Sequence, residues 1–150
     1  MRRIADALSG IRSLGFDSDC IIYFVDPNPD FEQKMITIFQ AITSGQLRGQ
    51  TSTLTLTEGM VGPLRKGDTE TAQRYRDLLL NSFDFQVLPI DAAIAERAAE
   101  LRVRYNMRTP DAVQAASAIH SGCDAFLTNN GSHFRRITEL QILVLDELTL

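Results

Sequence analysis

The stretch Thr109-Pro110-Asp111-Ala112-Val113-Gln114-Ala115-Ala116-Ser117-Ala118-Ile119-His120-Ser121-Gly122-Cys123-Asp124-Ala125-Phe126-Leu127-Thr128-Asn129-Asn130 reads as a helix followed by a buried strand. Thr109 has the chemistry of an N-cap. Pro110 suits the first helical position, where a missing N–H leaves no bond unmade, and Gly122 is the stop. Ala115, Ala116 and Ala118 lie inside, and Ala125 to Thr128 is short and apolar enough for a strand buried in a sheet. This reading puts Asp111 in the first turn of the helix and Thr128-Asn129-Asn130 just beyond the strand.

The same alternation extends in both directions. Arg3 to Ile11 has helical spacing, and Arg12 to Asp17 predicts a short strand. Ser18 and Asp19 offer cap chemistry before Cys20 to Val25, a run that periodicity leaves open between strand and buried helix. After the turn at Asp26-Pro27-Asn28-Pro29, the residues Phe31, Met35, Ile38, Phe39 and Ile42 share a helical face that Gly45 ends. Gln50 to Thr53 predicts a strand, leading into a helix that starts near Thr53, carries Glu58, and is kinked or ended by Pro63. Asp68 caps a helix with Tyr75, Leu78 and Leu79 facing inward, and Phe85 to Pro89 is the next strand. Asp91 caps another helix, with Ile94, Ala98, Leu101 and Tyr105 as its inner stripe, and Gln141 to Leu145 is the final strand. With no repeat or linker, residues 1–150 form one α/β domain, its mostly parallel central sheet covered by helices on both faces.

Composition agrees. The 150 residues are 44% hydrophobic and 23% charged, enough to bury a core without disulfides or a structural metal. The longest strongly apolar run, Ile21 to Val25, falls far short of the ~20 residues that span a bilayer. Met1-Arg2-Arg3 and the segment behind it, broken by Asp6 and Arg12, make neither a signal peptide nor an anchor, so a soluble, cytoplasmic protein is expected. Cys20 and Cys123 have no zinc-site spacing and read as reduced thiols. The net charge of −4 argues against an undifferentiated nucleic-acid binder. Arginine nevertheless supplies 13 of the 15 basic residues and recurs at Arg102, Arg104, Arg108, Arg135 and Arg136. Its planar fork suits phosphate.

In open α/β sheets ligands sit beyond the carboxyl ends of the strands, which selects four places. They are Asp17-Ser18-Asp19, Glu58, Asp111 and Thr128-Asn129-Asn130. Each has a structural alternative: Asp17 and Asp19 as caps, Glu58 as a solvated helix residue, Asp111 as an acid favoured by the helix dipole, Thr128-Asn129-Asn130 as a turn. The combination carries the argument.

Phe16-Asp17-Ser18-Asp19-Cys20-Ile21-Ile22-Tyr23 resembles the opening of PIN domains, where an aspartate, a small hydroxyl residue and usually Asn lead into an apolar helix. Leu54-Thr55-Leu56-Thr57-Glu58 is similar to the segment bearing that family's glutamate. Thr109 to Ala112 with the Ala-rich helix, and then Gly122 to Asn129, resemble its third and fourth motifs in order and spacing. The resemblance covers nearly the whole chain and implies a helix at Ile21. It implies that Asp17, Glu58 and Asp111 are the catalytic acids. Asp17, Asp111 and Asn130 would hold Mg²⁺ or Mn²⁺, with Asp19, Thr128 and Asn129 as accessory residues. It further implies hydrolysis of RNA phosphodiester bonds and, in the VapC-type toxins, an antitoxin partner. Burial of Leu78 and Leu79 in the core is expected, with a homodimer through that face as the alternative.

Two positions depart from the pattern. Asn130 stands where the family usually has an acid, and Asp19 where it more often has Asn, so Asp19 restores the charge if it points into the cleft. Asn130 also keeps open a second reading, a catalytically weakened module that binds RNA or a protein. A third, a haloacid-dehalogenase-like phosphatase, draws on Asp17-Ser18-Asp19 and Thr128 but lacks the required later lysine, since Lys34 and Lys66 both precede Thr128.

Overall fold

Residues in a strand point alternately to opposite faces, and in the computed structural model, which describes residues 1–150, each face has its own core. In chain order the elements are β1 (Arg2–Arg3), α1 (Ile4–Ala7), β2 (Ser13–Phe16), α2 (Ser18–Val25), α3 (Glu32–Thr43), β3 (Arg48–Ser52), α4 (Thr53–Lys66) and α5 (Thr69–Asn81). There follow β4 (Phe85–Leu88), α6 (Ala92–Tyr105), α7 (Thr109–His120), β5 (Ala125–Thr128), α8 (Gly131–Phe134), β6 (Gln141–Val144) and β7 (Leu148–Thr149). Five strands form one sheet in the order β4-β3-β2-β5-β6, and every ladder in it is parallel. No helix is long and apolar enough to cross a membrane.

Leu14 and Phe16 of β2, with Ala125 and Leu127 of β5, join the core built from α2, α3 and α5. Phe126 faces the opposite way, into the core of α6, α7 and α8, where its ring lies 5.0 Å from that of Phe134. Gly15 also faces α7: a Cβ there would lie 2.8 Å from the Cβ of Ala118. This close approach accounts for the alanines of α7, where Ala112, Ala115, Ala116 and Ala118 are fully buried.

The strand order reverses between β2 and β5. Chain succession runs outward through β2, β3 and β4 on one side and through β5 and β6 on the other. Phe16 pairs with Leu127, and the ladder continues one residue further as the Asp17 N–H donates to Leu127 O at 2.9 Å. The crevice at such a switch point is where α/β sheets bind ligands.

Several local expectations are corrected. The amino-terminal helix is the single turn Ile4–Ala7: Arg2 and Arg3 pair with Leu148 and Thr149 as a separate two-stranded ladder before it, and the chain turns through left-handed Gly10 after it. That ladder also means Gln141–Val144 is not the last strand. Cys20 to Val25 is helical, as the resemblance implied, but the N-cap is Asp17 and not Ser18 or Asp19. Pro63 does not end its helix. Its ring is buried, the chain remains helical to Lys66, and left-handed Gly67 closes the end, its N–H and that of Asp68 satisfying Leu64 O and Pro63 O. In α7 the N-cap is Arg108, one residue before the expected Thr109, and Pro110 is second in the helix. Leu78 and Leu79 face inward as expected: Leu79 is 1% exposed and Leu78 packs against the same core, which leaves the pair no free surface for a second copy.

Candidate active site

Beyond the carboxyl ends of β2 and β5, Asp17, Ser18, Asp19, Glu58, Arg108, Pro110, Asp111 and Asn130 line a mainly polar cavity of about 120 Å³. Four segments meet there. Asp17 leaves β2 in an extended conformation and caps α2, its Oδ1 accepting from the Ser18 N–H at 2.9 Å. Its Oδ2 accepts from Thr128 Oγ1 at 2.7 Å across the switch point. One carboxylate thus serves both readings, cap and site. Ser18 Oγ donates to Glu58 Oε1 at 2.9 Å, which holds this exposed acid from the second turn of α4 at the rim.

Asp19 follows on the first turn of α2, its Oδ1 accepting from Cys20 N at 2.7 Å and its Oδ2 from Asn129 N at 3.0 Å. Asn130 Nδ2 lies 3.5 Å from the same Oδ2, so Asp19 does point into the cleft beside the amide. Asp111, 6% exposed, is held by Arg108, whose Nε and Nη2 donate to its two oxygens at 3.0 and 3.2 Å. His133 Nδ1 completes this corner, 3.2 Å from Asp111 Oδ2 and 3.3 Å from Arg108 Nη2. As these side chains stand, no three acidic, His or Cys groups are close enough to enclose an ion.

Thr128 and Asn129 do not line the cavity. Thr128 stands behind it, donating to Asp17 while accepting from Asn130 N at 3.0 Å. The Asn129 side chain faces away and accepts from the Asp146 N–H at 2.8 Å. Asp124, within the same motif, lies at the other end of the sheet. It accepts from the Arg12 and Ser13 N–H groups, and the first of these bonds leads the causes that hold its carboxyl below the usual range.

Burial of so many like charges has an electrostatic consequence. The Asp17 carboxyl is pushed up to about 7, first by burial and then by the charge of Asp19, with Asp111 adding less, against the hydrogen bonds from Thr128 and Ser18. Asp19 is raised too, again chiefly by burial. The Arg108 guanidinium is held protonated more strongly than usual, first by its bond to Asp111, with Asp17 and Glu58 contributing.

A buried hydroxyl and amide network underlies the acids. Gln114, one turn after Asp111 on α7, accepts from Ser52 Oγ at 3.0 Å and donates to Thr55 Oγ1 at 2.8 Å. Thr55 lies one turn before Glu58 on α4 and also pairs with Thr51 Oγ1 at 2.7 Å. The helices carrying Glu58 and Asp111 are therefore tied together beneath the site. Gln114→Ala leaves buried hydroxyl groups short of a partner and is expected to destabilise the fold by about 2 kcal/mol in urea unfolding.

The structure brings Asp17, Asp19, Glu58, Asp111 and Asn130 into one cleft; sequence reading named Arg108 only among the arginines suited to phosphate and placed neither it nor His133 against Asp111. The signal for Arg108 was its spacing, three residues before Asp111, at which opposite charges meet on a helix. His133 gave no comparable signal, because the short α8 that carries it to Asp111 is not periodic.

A family model described as PIN domain matches residues 16–140, most of the chain. The chain belongs to the PIN domain family. No match is found among the curated proteins. Solved structures share this PIN domain's fold. A toxin-antitoxin complex from Klebsiella pneumoniae aligns with 26% identity and a TM-score of 0.67, covering 89% of this chain and 97% of that one. VapBC2 from Rickettsia felis, bound to a DNA fragment from its promoter, aligns with 19% identity and a TM-score of 0.70, over 88% and 98% of the two chains. DNA-bound VapBC from Salmonella typhimurium gives 18% identity and a TM-score of 0.67, over 90% and 98%.

Proposed function

We propose that this PIN domain hydrolyses RNA phosphodiester bonds with a divalent ion, Mg²⁺ or Mn²⁺, and acts in the cytoplasm as the toxin of a toxin-antitoxin pair. One observation carries the chemistry: four carboxylates and an amide line one small polar cleft, and Asp17 is pushed to about 7 by burial and by Asp19. Carboxylates crowded in this way must take up protons or a cation. The donors are all oxygens, the set that hard divalent ions prefer. Asp17, Asp111 and Asn130 would hold the ion with Asp19 beside them, and Glu58 stands at the rim on Ser18. When bound, the ion would neutralise charge at the phosphate and acidify an attacking water. The chain's own part is to fix the acids: Thr128 orients Asp17, the Asn129 N–H orients Asp19, and the Gln114 network sets α4 against α7.

The antitoxin partner is supported by the toxin-antitoxin complexes with which the fold aligns. The test of the chemistry is cleavage of an RNA mixture by metal-stripped protein. Added Mn²⁺ should restore cleavage to the wild type but not to Asp111→Asn; cleavage that persists in chelator would refute the reading.

Asn130 favours a second reading, a catalytically weakened module, because an amide brings no charge. The contact between Asn130 Nδ2 and Asp19 Oδ2 argues that the missing charge has moved to Asp19. Asp19→Asn should accordingly lower Mn²⁺-dependent cleavage by about tenfold, and Asn130→Asp in that background should recover part of it. An Asp19→Asn protein as active as the wild type would discard the compensation.

A further inference from the structure

Arg108 is the one basic residue lining the acidic cleft. We propose that Arg108 is a displaceable clamp, occupying both oxygens of Asp111 until a divalent ion takes that carboxylate, whereupon the freed guanidinium binds a phosphate of the nucleic acid. The inference rests on the nuclease reading above and adds to it a competition within the chain.

Both ends of the pair support this. Asp111 is fixed: it is 6% exposed, lies in the first turn of α7, and is one helical turn from the tethered Gln114. Arg108 is held by little else. Its side chain is 65% exposed, it sits at the N-cap without a capping bond from its side chain, and a cation there opposes the helix dipole. Its guanidinium stands in solvent, so water and salt screen the Arg108 side of the pair. A divalent ion has twice the charge, and Asp17, Asp19 and Glu58 line the cavity with Asp111 to attract it. When the ion binds, its charge repels the guanidinium, so Arg108 and not the buried Asp111 must move.

The displaced fork has a use. Besides the bound ion, Arg108 is the only cationic group lining the cleft that an approaching RNA phosphate meets, and its donors match phosphate oxygens in pairs. The contact to His133 Nδ1 at 3.3 Å gives the guanidinium a second partner outside Asp111.

The experiment compares wild type, Arg108→Gln and Arg104→Gln. Arg104 carries the same charge on α6, where it pairs with Glu139 outside the cleft, and so controls for the net charge lost. Free Mn²⁺ is titrated by electron paramagnetic resonance, and a fluorescent 2′-O-methyl RNA dodecamer is then bound to each Mn²⁺-saturated protein. Arg108→Gln should bind Mn²⁺ about fivefold more tightly than the wild type and the RNA about fivefold more weakly, with Arg104→Gln near wild type in both. Equal Mn²⁺ affinity in wild type and Arg108→Gln, an equal gain in Arg104→Gln, or unchanged RNA binding by Arg108→Gln overturns the clamp. Absence of Mn²⁺ binding by all three proteins overturns the nuclease reading instead.

Discussion

Replacing Asp17 with Asn is expected to reduce Mn²⁺-dependent RNA cleavage by about a thousandfold, equivalent to several kcal/mol of transition-state stabilisation, while making the metal-free protein more stable at pH 8. The two effects have one cause. The carboxyl titrates at about 7 in the fold against an ordinary value of 3.8, so between those pH values the folded protein binds more protons than the unfolded chain. Stability therefore rises as pH falls from about 7 to about 4, the reverse of the usual aspartate, and Asp19 acts in the same direction. Above pH 7 the ionised, buried Asp17 destabilises the fold in full. Asn removes that charge and can still accept one of the two hydrogen bonds, so a gain of about 2 kcal/mol is expected at pH 8, raising the melting temperature by roughly 6 °C. At pH 4 the difference should vanish. Thermal melts in chelator at the two pH values, beside the cleavage assay, test both parts. A variant that melts below the wild type at pH 8 contradicts the electrostatic account, and one that cleaves normally contradicts the catalytic one.

Gly15→Val should cost about 3 kcal/mol, the upper end of ordinary overpacking. Gly15 lies in β2, the central strand of the sheet, and the two nearest groups its Cβ would meet are rigidly placed, Ala118 Cβ at 2.8 Å and the Phe126 ring at 3.1 Å, with Gln50 Oε1 further off at 3.3 Å. Neither neighbour is the free end of a flexible side chain. To admit a branched side chain, α7 must lift from the sheet, and α7 carries Asp111. Chemical denaturation should show the loss of stability. A Gly15→Val protein within about 0.5 kcal/mol of the wild type, the range of an ordinary surface substitution, would mean that α7 is not seated as described. Residual folded protein should also bind Mn²⁺ less well, because Asp111 would no longer be level with Asp17.

Legibility from sequence varied with the kind of feature. Alternating short apolar runs and amphipathic stripes identified the strands and most helices, because the periods of 2 and 3.6 are properties of the backbone itself. The run Ile21 to Val25 stayed open from periodicity, since over five residues a buried helix and a buried strand look alike. Only its resemblance to the family motif made it a helix. Pro63 misled because the local rule weighs one lost N–H bond. In the fold the ring packs into the interior and Gly67 terminates the helix a turn later. At the site, Asp17 and Thr128 were visible as polar residues ending apolar strands and Asp111 as an acid in the first turn of a helix, and strand-end geometry told where they would meet. Nothing local separated Thr128, which stands behind the cavity, from Asn130, which lines it.

Local chemistry by itself determined the α/β class, the parallel sense of the sheet, the caps at Asp68 and Asp91, and which acids lie at strand ends, since all follow from backbone period, side-chain capping and polarity over a few residues. Tertiary structure alone decided that β2 lies next to β5, that Arg108 grips Asp111 with His133 alongside, and that Asp19 meets Asn130 across 111 positions of chain. Those facts depend on strand order and helix seating, which are set by the packing of two whole cores on opposite faces of one sheet. No window of sequence contains that balance.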